Sequence, residues 1–187
     1  MAQHFSALSN QHMDFIRAQP IFFVATALDD GRINLSPKGL DGTFTIRGPN
    51  RVAWLNLTGS GNETAAHLRR NDRITLMFCA FSGAPLILRA YGHARALHRR
   101  DAQWKEHERL FPDFPGKRQI VVVEIDSVIT SCGFGVPLMT LEGQRPNLPQ
   151  WATAKGPEGI EQYWRDRNLI SFDGLETGIV DEADSPS

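Results

Sequence analysis

Lys38, the run Thr58-Gly59-Ser60-Gly61-Asn62 and the nearby Thr64 are residue types that together hold a phosphate. They offer a cation, hydroxyls, and glycines that let backbone N–H groups approach an anion. Lys38 and the loop lie twenty residues apart, so a β hairpin must deliver them to one place. The same loop reads as an S-x-x-E capping box, with Ser60 and Glu63 bonding each other's backbone at the start of a helix that would run through Leu68 to Asn71. A plain helix cap is therefore the competing reading of this stretch. Glu63 would repel a phosphate unless its carboxylate is engaged elsewhere.

Three other groups could carry chemistry. Arg89, Tyr91, His93 and Arg95 alternate along one face of a strand pattern, where Arg89 and Arg95 could add charge to an anion site and His93 could exchange protons near neutral pH. An ordinary exposed strand face explains them equally well. His67 and His98 are candidate haem or metal ligands, but no HxxxH or HxH spacing supports them, and no metal is expected. Cys132 in CGFGVP has no local cation to lower its pKa, so it reads as a structural or cofactor-adjacent residue. No GxSxG elbow, P-loop or complete GxGxxG is present. No residue is assigned a catalytic role from the sequence.

The bulk properties limit the partners. The 187 residues carry 20 Lys+Arg against 21 Asp+Glu, a formal net charge of -1. There is no global basic field for nucleic acid or an anionic membrane, so any anion site must be local. The N-terminal MAQHFSALSNQHMDF lacks the pattern of a secretory signal, and no apolar run reaches the roughly 18 residues of a membrane helix. A cytoplasmic protein with reduced thiols at Cys79 and Cys132 is expected.

Positioning falls to short strands and a few helices. Ser9 or Asn10 caps a helix bearing Phe15 and Ile16 that must stop before Pro20. IFFVATAL and RINLS flank the turn Asp29-Asp30-Gly31, and FTIR and RVAWLNL flank Gly48-Pro49-Asn50, which predicts two hairpins. RITLMFCAF is apolar enough for a central strand buried on both faces, and Ser82-Gly83-Ala84-Pro85 turns it into LILRAYGHARALH. A helix follows over about 101–111, with Trp104 and Phe111 on it, and QIVVVEIDSVI is the last long strand. Strands and helices do not alternate regularly, which favours a mainly β, α+β, antiparallel Greek-key barrel over a doubly wound sheet. Residues 1–131 form this domain. Residues 132–187 form an extension that packs on the barrel or a partner subunit: a Gly/Pro-rich loop to Trp151, a helix opened by Gly156-Pro157, and a disordered acidic tail from Asp181.

The order of hairpin, Lys38-Gly39-x-Asp41, WLNL, Gly/Ser loop, short helix, apolar strand and LRAYGHAR resembles the pyridoxamine 5'-phosphate oxidase-like FMN-binding split barrel, over about Phe15 to Val128. The resemblance implies a homodimer with FMN at the interface. It places Asn34, Leu35 and Ser36 along the flavin ring and Trp54 and Leu55 beside the cofactor. Lys38, Thr58, Ser60, Gly61, Asn62 and Thr64 fall at the phosphate, with Arg89 as a further phosphate cation. Where the oxidases proper carry an Arg-Lys pair, this chain has Gly61-Asn62-Glu63-Thr64, so hydroxyls and amides would carry more of the binding. The family's C-terminal Arg-x-His signature is missing, and TSCGFGVPLMTLEGQR with NETAAHL points to a separate branch. The reading is an FMN-dependent oxidoreductase acting on a small molecule that the sequence does not name. The alternative is a non-catalytic flavin- or haem-binding protein of the same fold, with deazaflavin use a weaker third.

Overall fold

The structure is a computed structural model that describes residues 2–180. The acidic tail expected from Asp181 onward lies outside the described residues. Strands β1 (Gln3–Phe5), β2 (Ile21–Thr26), β3 (Asn34–Gly39), β4 (Phe44–Gly48), β5 (Arg51–Leu57), β6 (Arg73–Cys79), β7 (Ile87–Leu97) and β8 (Lys117–Ser131) form one antiparallel sheet in the order β3-β2-β6-β7-β8-β5-β4, with β1 on the far part of β8. The sheet curls into a half-barrel with short helices at its periphery: α1 (Asn10–Arg17), α2 (Glu63–Leu68), α3 (Trp104–Glu108) and α4 (Asn147–Arg167). This is the split-barrel architecture expected from the sequence. Both hairpins form, and Gly48 pairs with Arg51 across the tight Pro49-Asn50 turn.

Two apolar clusters lie on opposite faces of β5 and β8. Val52, Trp54, Val121 and Val123 face the barrel core with Phe22, Leu76, Phe78 and Leu88. Ala53, Leu55, Ile120 and Val122 face a second cluster that Trp104 and Phe111 close from outside. The strands buried on both faces are thus β5 and β8, whereas β6 alternates, burying Ile74, Leu76 and Phe78. The expectation for RITLMFCAF is corrected accordingly. A run of apolar residues announces hydrophobicity but not which second layer will cover it.

At the middle of the sheet β7 and β8 slip register between Tyr91 and Gly92, leaving Asp126 as the extra residue of a bulge. A Cβ on Gly92 would stand 1.9 Å from the carbonyl oxygen of Glu124, so the two backbones meet there with no room for a side chain.

Other elements differ from the sequence expectation for local reasons. The capping box is not at Ser60 but at Ser9, whose Oγ accepts the His12 N–H while His12 Nδ1 accepts the Ser9 N–H. α2 starts after Asn62 without a side-chain cap bond. β1 is too short and polar to show in the hydropathy pattern. α3 shrinks to five residues. The helix expected to open at Gly156-Pro157 does so, and a further helical segment from Asn147, with Pro149 in its first turn where the missing N–H costs nothing, precedes it across the kink. Gly156, at φ 68°, kinks this helix before Pro157.

Candidate functional site

β3, β5, the loop after β5 and the start of β8 surround a cavity of about 1440 Å3, larger than the ~300–1,000 Å3 usual for small-molecule sites. Residues of the 139–148 segment form its outer wall, tied by Met139 N–H to the Phe81 carbonyl and by Gln144 Nε2 to Asp41 Oδ1.

At the inner end sits Arg118, a guanidinium that is 3% exposed. It is the extra residue of a bulge near the start of β8, where Gln119 pairs with Asn56 and Lys117 with Leu57. Its acceptors are neutral: Nη1 donates to the carbonyl of Gly59 (3.2 Å) and to Asn168 Oδ1 (2.9 Å), while Nε has no partner. Burial lowers its pKa to about 10, still far above neutral pH. Lys38 stands close enough for Arg118 to act on it. Burial first, and the Arg118 charge second, lower the lysine to about 8. Among the described residues neither cation has a carboxylate partner. A buried guanidinium whose charge reaches a half-buried lysine is costly unless an anion joins them.

The loop adds polar atoms without partners. Both side-chain atoms of Asn62, 4% exposed, are unpaired, and so is Trp54 Nε1. Buried polar groups are normally satisfied, so unpaired donors collected around one cavity describe an acceptor-rich ligand. Glu63, the expected repulsive group, still lines the cavity, but its carboxylate is engaged: both its oxygens accept the Phe172 N–H, at 3.0 and 3.1 Å. That contact also breaks the capping box proposed for Ser60.

The site residues read from the sequence divide. Asn34, Ser36, Lys38, Trp54, Leu55, Thr58, Ser60, Gly61, Asn62 and Thr64 all line the cavity. Asn34 reaches both Thr26 Oγ1 and Thr64 Oγ1 at 3.0 Å and so ties β3 to α2. The Thr58 hydroxyl is spent elsewhere, donating to the Gly116 carbonyl and accepting from Trp164 Nε1. Leu35 points to the opposite side of β3 and is 64% exposed. Arg89 lies outside the cavity as well, beside Cys79, where its charge opposes the rise that burial imposes on the thiol. Arg118, which the sequence reading did not name, lines the cavity instead. Its only signal was a charged residue one step inside the start of a long apolar strand.

The second constellation is occupied by surface pairs. His93 bridges Asp72 at 2.8 Å and Asp126 at 3.1 Å, and the Asp72 hydrogen bond raises its pKa. Arg95 donates to Gln103. His67 is buried against Thr26 Oγ1, and burial lowers His98 to about 4. Among the described residues no group of three or more His, Cys, Asp or Glu could hold a metal ion, and no helix is long and apolar enough to cross a membrane.

Residues 8–132, which contain the barrel, Lys38, the 58–62 loop and Arg118, match the family model described as pyridoxamine 5'-phosphate oxidase. The chain belongs to the pyridoxamine 5'-phosphate oxidase family. It is 34% identical over 200 residues, 96% of this chain and 80% of the relative, to the pyridoxamine 5'-phosphate oxidase family protein ustO of Aspergillus flavus. Its fold is similar to that of HupZ from Group A Streptococcus, with a TM-score of 0.51 and 17% identity over 66% of this chain and 98% of that one. An FAD-binding protein of Mycobacterium smegmatis gives a TM-score of 0.48 and 16% identity over 67% of this chain and 97% of that one. α4 and Asn168 lie beyond the stretch matched by the family model.

Lys38 gives the site a pH signature. A phosphate monoester is dianionic above its second pKa near 6, so a ligand of that class would need the protonated lysine. With the free lysine at about 8, that ligand's affinity should change little between about pH 6 and 7 and fall about tenfold between pH 7 and pH 9. Stability of the free protein runs the other way. The unfolded chain takes up this proton first as pH falls, so stability rises with pH from about 8 to the ordinary lysine value of 10.5. FMN titrations at pH 7, 8 and 9 check the first point, and Lys38→Met should flatten the profile.

Proposed function

We propose that the chain binds FMN in this cavity and works as a flavin-dependent oxidoreductase. The observation that carries the reading is Arg118, buried, charged and bonded only to carbonyls, with Lys38 beside it. In this reading Arg118, Lys38, Asn62 and the amides of the 59–62 loop hold the phosphate. Asn34 and Ser36 border the ring, and Trp54, its indole packed into the barrel core, backs the wall that the ring lies against. FMN, when bound, supplies hydride or electron transfer. The protein supplies orientation and charge, and the 139–148 segment limits water access from the outer side. The haem-binding alternative lacks support in the lining, which contains no histidine, cysteine or tyrosine and offers Met139 alone as an axial ligand.

The homodimer belongs to the same proposal. β3 is an edge strand exposing Leu35, Ile33 just before it is exposed too, and Phe134, Leu138 and Leu141 are exposed on the segment after β8. Exposed apolar edges are otherwise an aggregation liability. Purified protein tests the whole reading. It should carry, or take up, FMN as the flavin released on denaturation, sediment as a dimer, and show flavin reduction by NADH or NADPH under anaerobic conditions. FAD as the released flavin would reassign the cofactor. Protein that is flavin-free and takes up no added FMN would overturn the proposal.

A further inference from the structure

We propose that Asn168, at the C-terminal cap of α4, is the positioning residue of the anion site, turning both the Arg118 guanidinium and the amides of the 59–61 loop toward the phosphate. The inference rests on the FMN reading above and extends it to a residue outside the family-matched barrel. Asn168 is fully buried, at 0% exposure. Its Oδ1 accepts from Arg118 Nη1, and its Nδ2 donates to the carbonyls of Gly59 at 3.1 Å and Ser60 at 3.3 Å. One amide thus holds the cation and two successive loop peptides.

The loop's orientation follows from peptide geometry. In a planar trans peptide the N–H points opposite the C=O. The carbonyls of Gly59 and Ser60 face Asn168, so the amides of Ser60 and Gly61 face away from it, on the side where both residues line the cavity. Asn168 is itself held from both sides: its N–H donates to the Trp164 carbonyl, and its own carbonyl accepts the Thr177 hydroxyl at 2.5 Å. Trp164 fixes the preceding loop residue through Thr58 Oγ1. The end of α4 therefore grips Thr58, Gly59 and Ser60 in turn. An asparagine suits this position because it accepts from Arg118 without neutralising it, where an aspartate would pair with the guanidinium and compete with the phosphate.

The test compares FMN with riboflavin, which lacks the phosphate, by fluorescence titration of wild type, Asn168→Ala, Asn168→Asp and Thr177→Val. Asn168→Ala should weaken FMN about 30-fold and riboflavin by less than about threefold. Asn168→Asp should weaken FMN further, because its carboxylate pairs with Arg118 while its second oxygen, which cannot donate, opposes the Gly59 and Ser60 carbonyls; a melt of the free protein checks that it stays folded. Thr177→Val, one step removed, should produce a smaller loss confined to FMN. Equal losses for the two ligands, or none, in the folded Asn168→Asp protein would overturn the role of Asn168 while leaving the FMN site standing. A wild-type protein that binds FMN no better than riboflavin would overturn both.

Discussion

Arg118→Met should weaken FMN binding about 100-fold or more, roughly 3 kcal/mol, while changing riboflavin affinity by less than about threefold. The guanidinium is enclosed at the closed end of the cavity, and water competes poorly for it there, so its attraction to a dianion is strong. The free protein should tolerate the change. Methionine has a similar length and fills the space between Ile120 and the loop, and the substitution removes a buried charge that has only neutral acceptors. Asn168 Oδ1, left without its donor, offsets part of that gain, while the Gly59 carbonyl keeps its bond from Asn168 Nδ2. Arg118→Lys should fall between the two, since it keeps the charge but not the planar fork that reaches Gly59, Asn168 and a phosphate together. Calorimetric titration with both flavins, beside a melt of each free protein, separates ligand effects from folding.

Gly92→Ala should be the most damaging single-methyl change to the fold, costing at least about 3 kcal/mol. Its Cβ would fall 1.9 Å from the Glu124 carbonyl oxygen and 3.0 Å from the Ile125 Cα, both main-chain atoms of the neighbouring strand. No rotamer relieves that contact. Either β7 and β8 separate or the bulge at Asp126 shifts, and β8 carries Arg118 at one end and the pairing with β1 at the other. At roughly 2–4 °C per kcal/mol for a chain of this size, the melting temperature should drop by about 6–12 °C. Gly135→Ala is the control. Nothing lies within 4 Å of its added Cβ, so its effect should stay within about 0.5 kcal/mol.

The barrel was legible because its signals are local. Turn residues at Gly48-Pro49-Asn50 and Ser82-Gly83-Ala84-Pro85 separate apolar runs, and the alternation of Asn34, Ser36 and Lys38 with Leu35 puts one polar row on one side of β3. Lys38 was legible for the same reason: the hairpin carries it back toward the loop. Arg118 was not. Its position at the start of β8 marks it as a strand-end charge, and only α4, some fifty residues later, covers the face on which it lies. Glu63 misled in the same way. Its spacing from Ser60 is that of a capping box, but the Phe172 N–H, from beyond α4, claims the carboxylate. Each of these differences traces to the C-terminal extension, whose long-range contacts leave no mark in a local pattern.

That extension also explains how the site can do without the usual cation pair in its loop. One of its two cations comes from the β3 end and the other from β8, and Asn168 joins the latter to the loop. The two charges come from two parts of the chain, and a neutral amide from a third ties one of them to the loop.

A crystal structure of the protein with FMN is the most direct test. The phosphate oxygens are expected within hydrogen-bond distance of Arg118 and Lys38, with Asn62 and the amides of Ser60 and Gly61 around them and the ring against Trp54. A phosphate bound elsewhere, or one that leaves Arg118 bonded only to Gly59 and Asn168, would contradict the assignment.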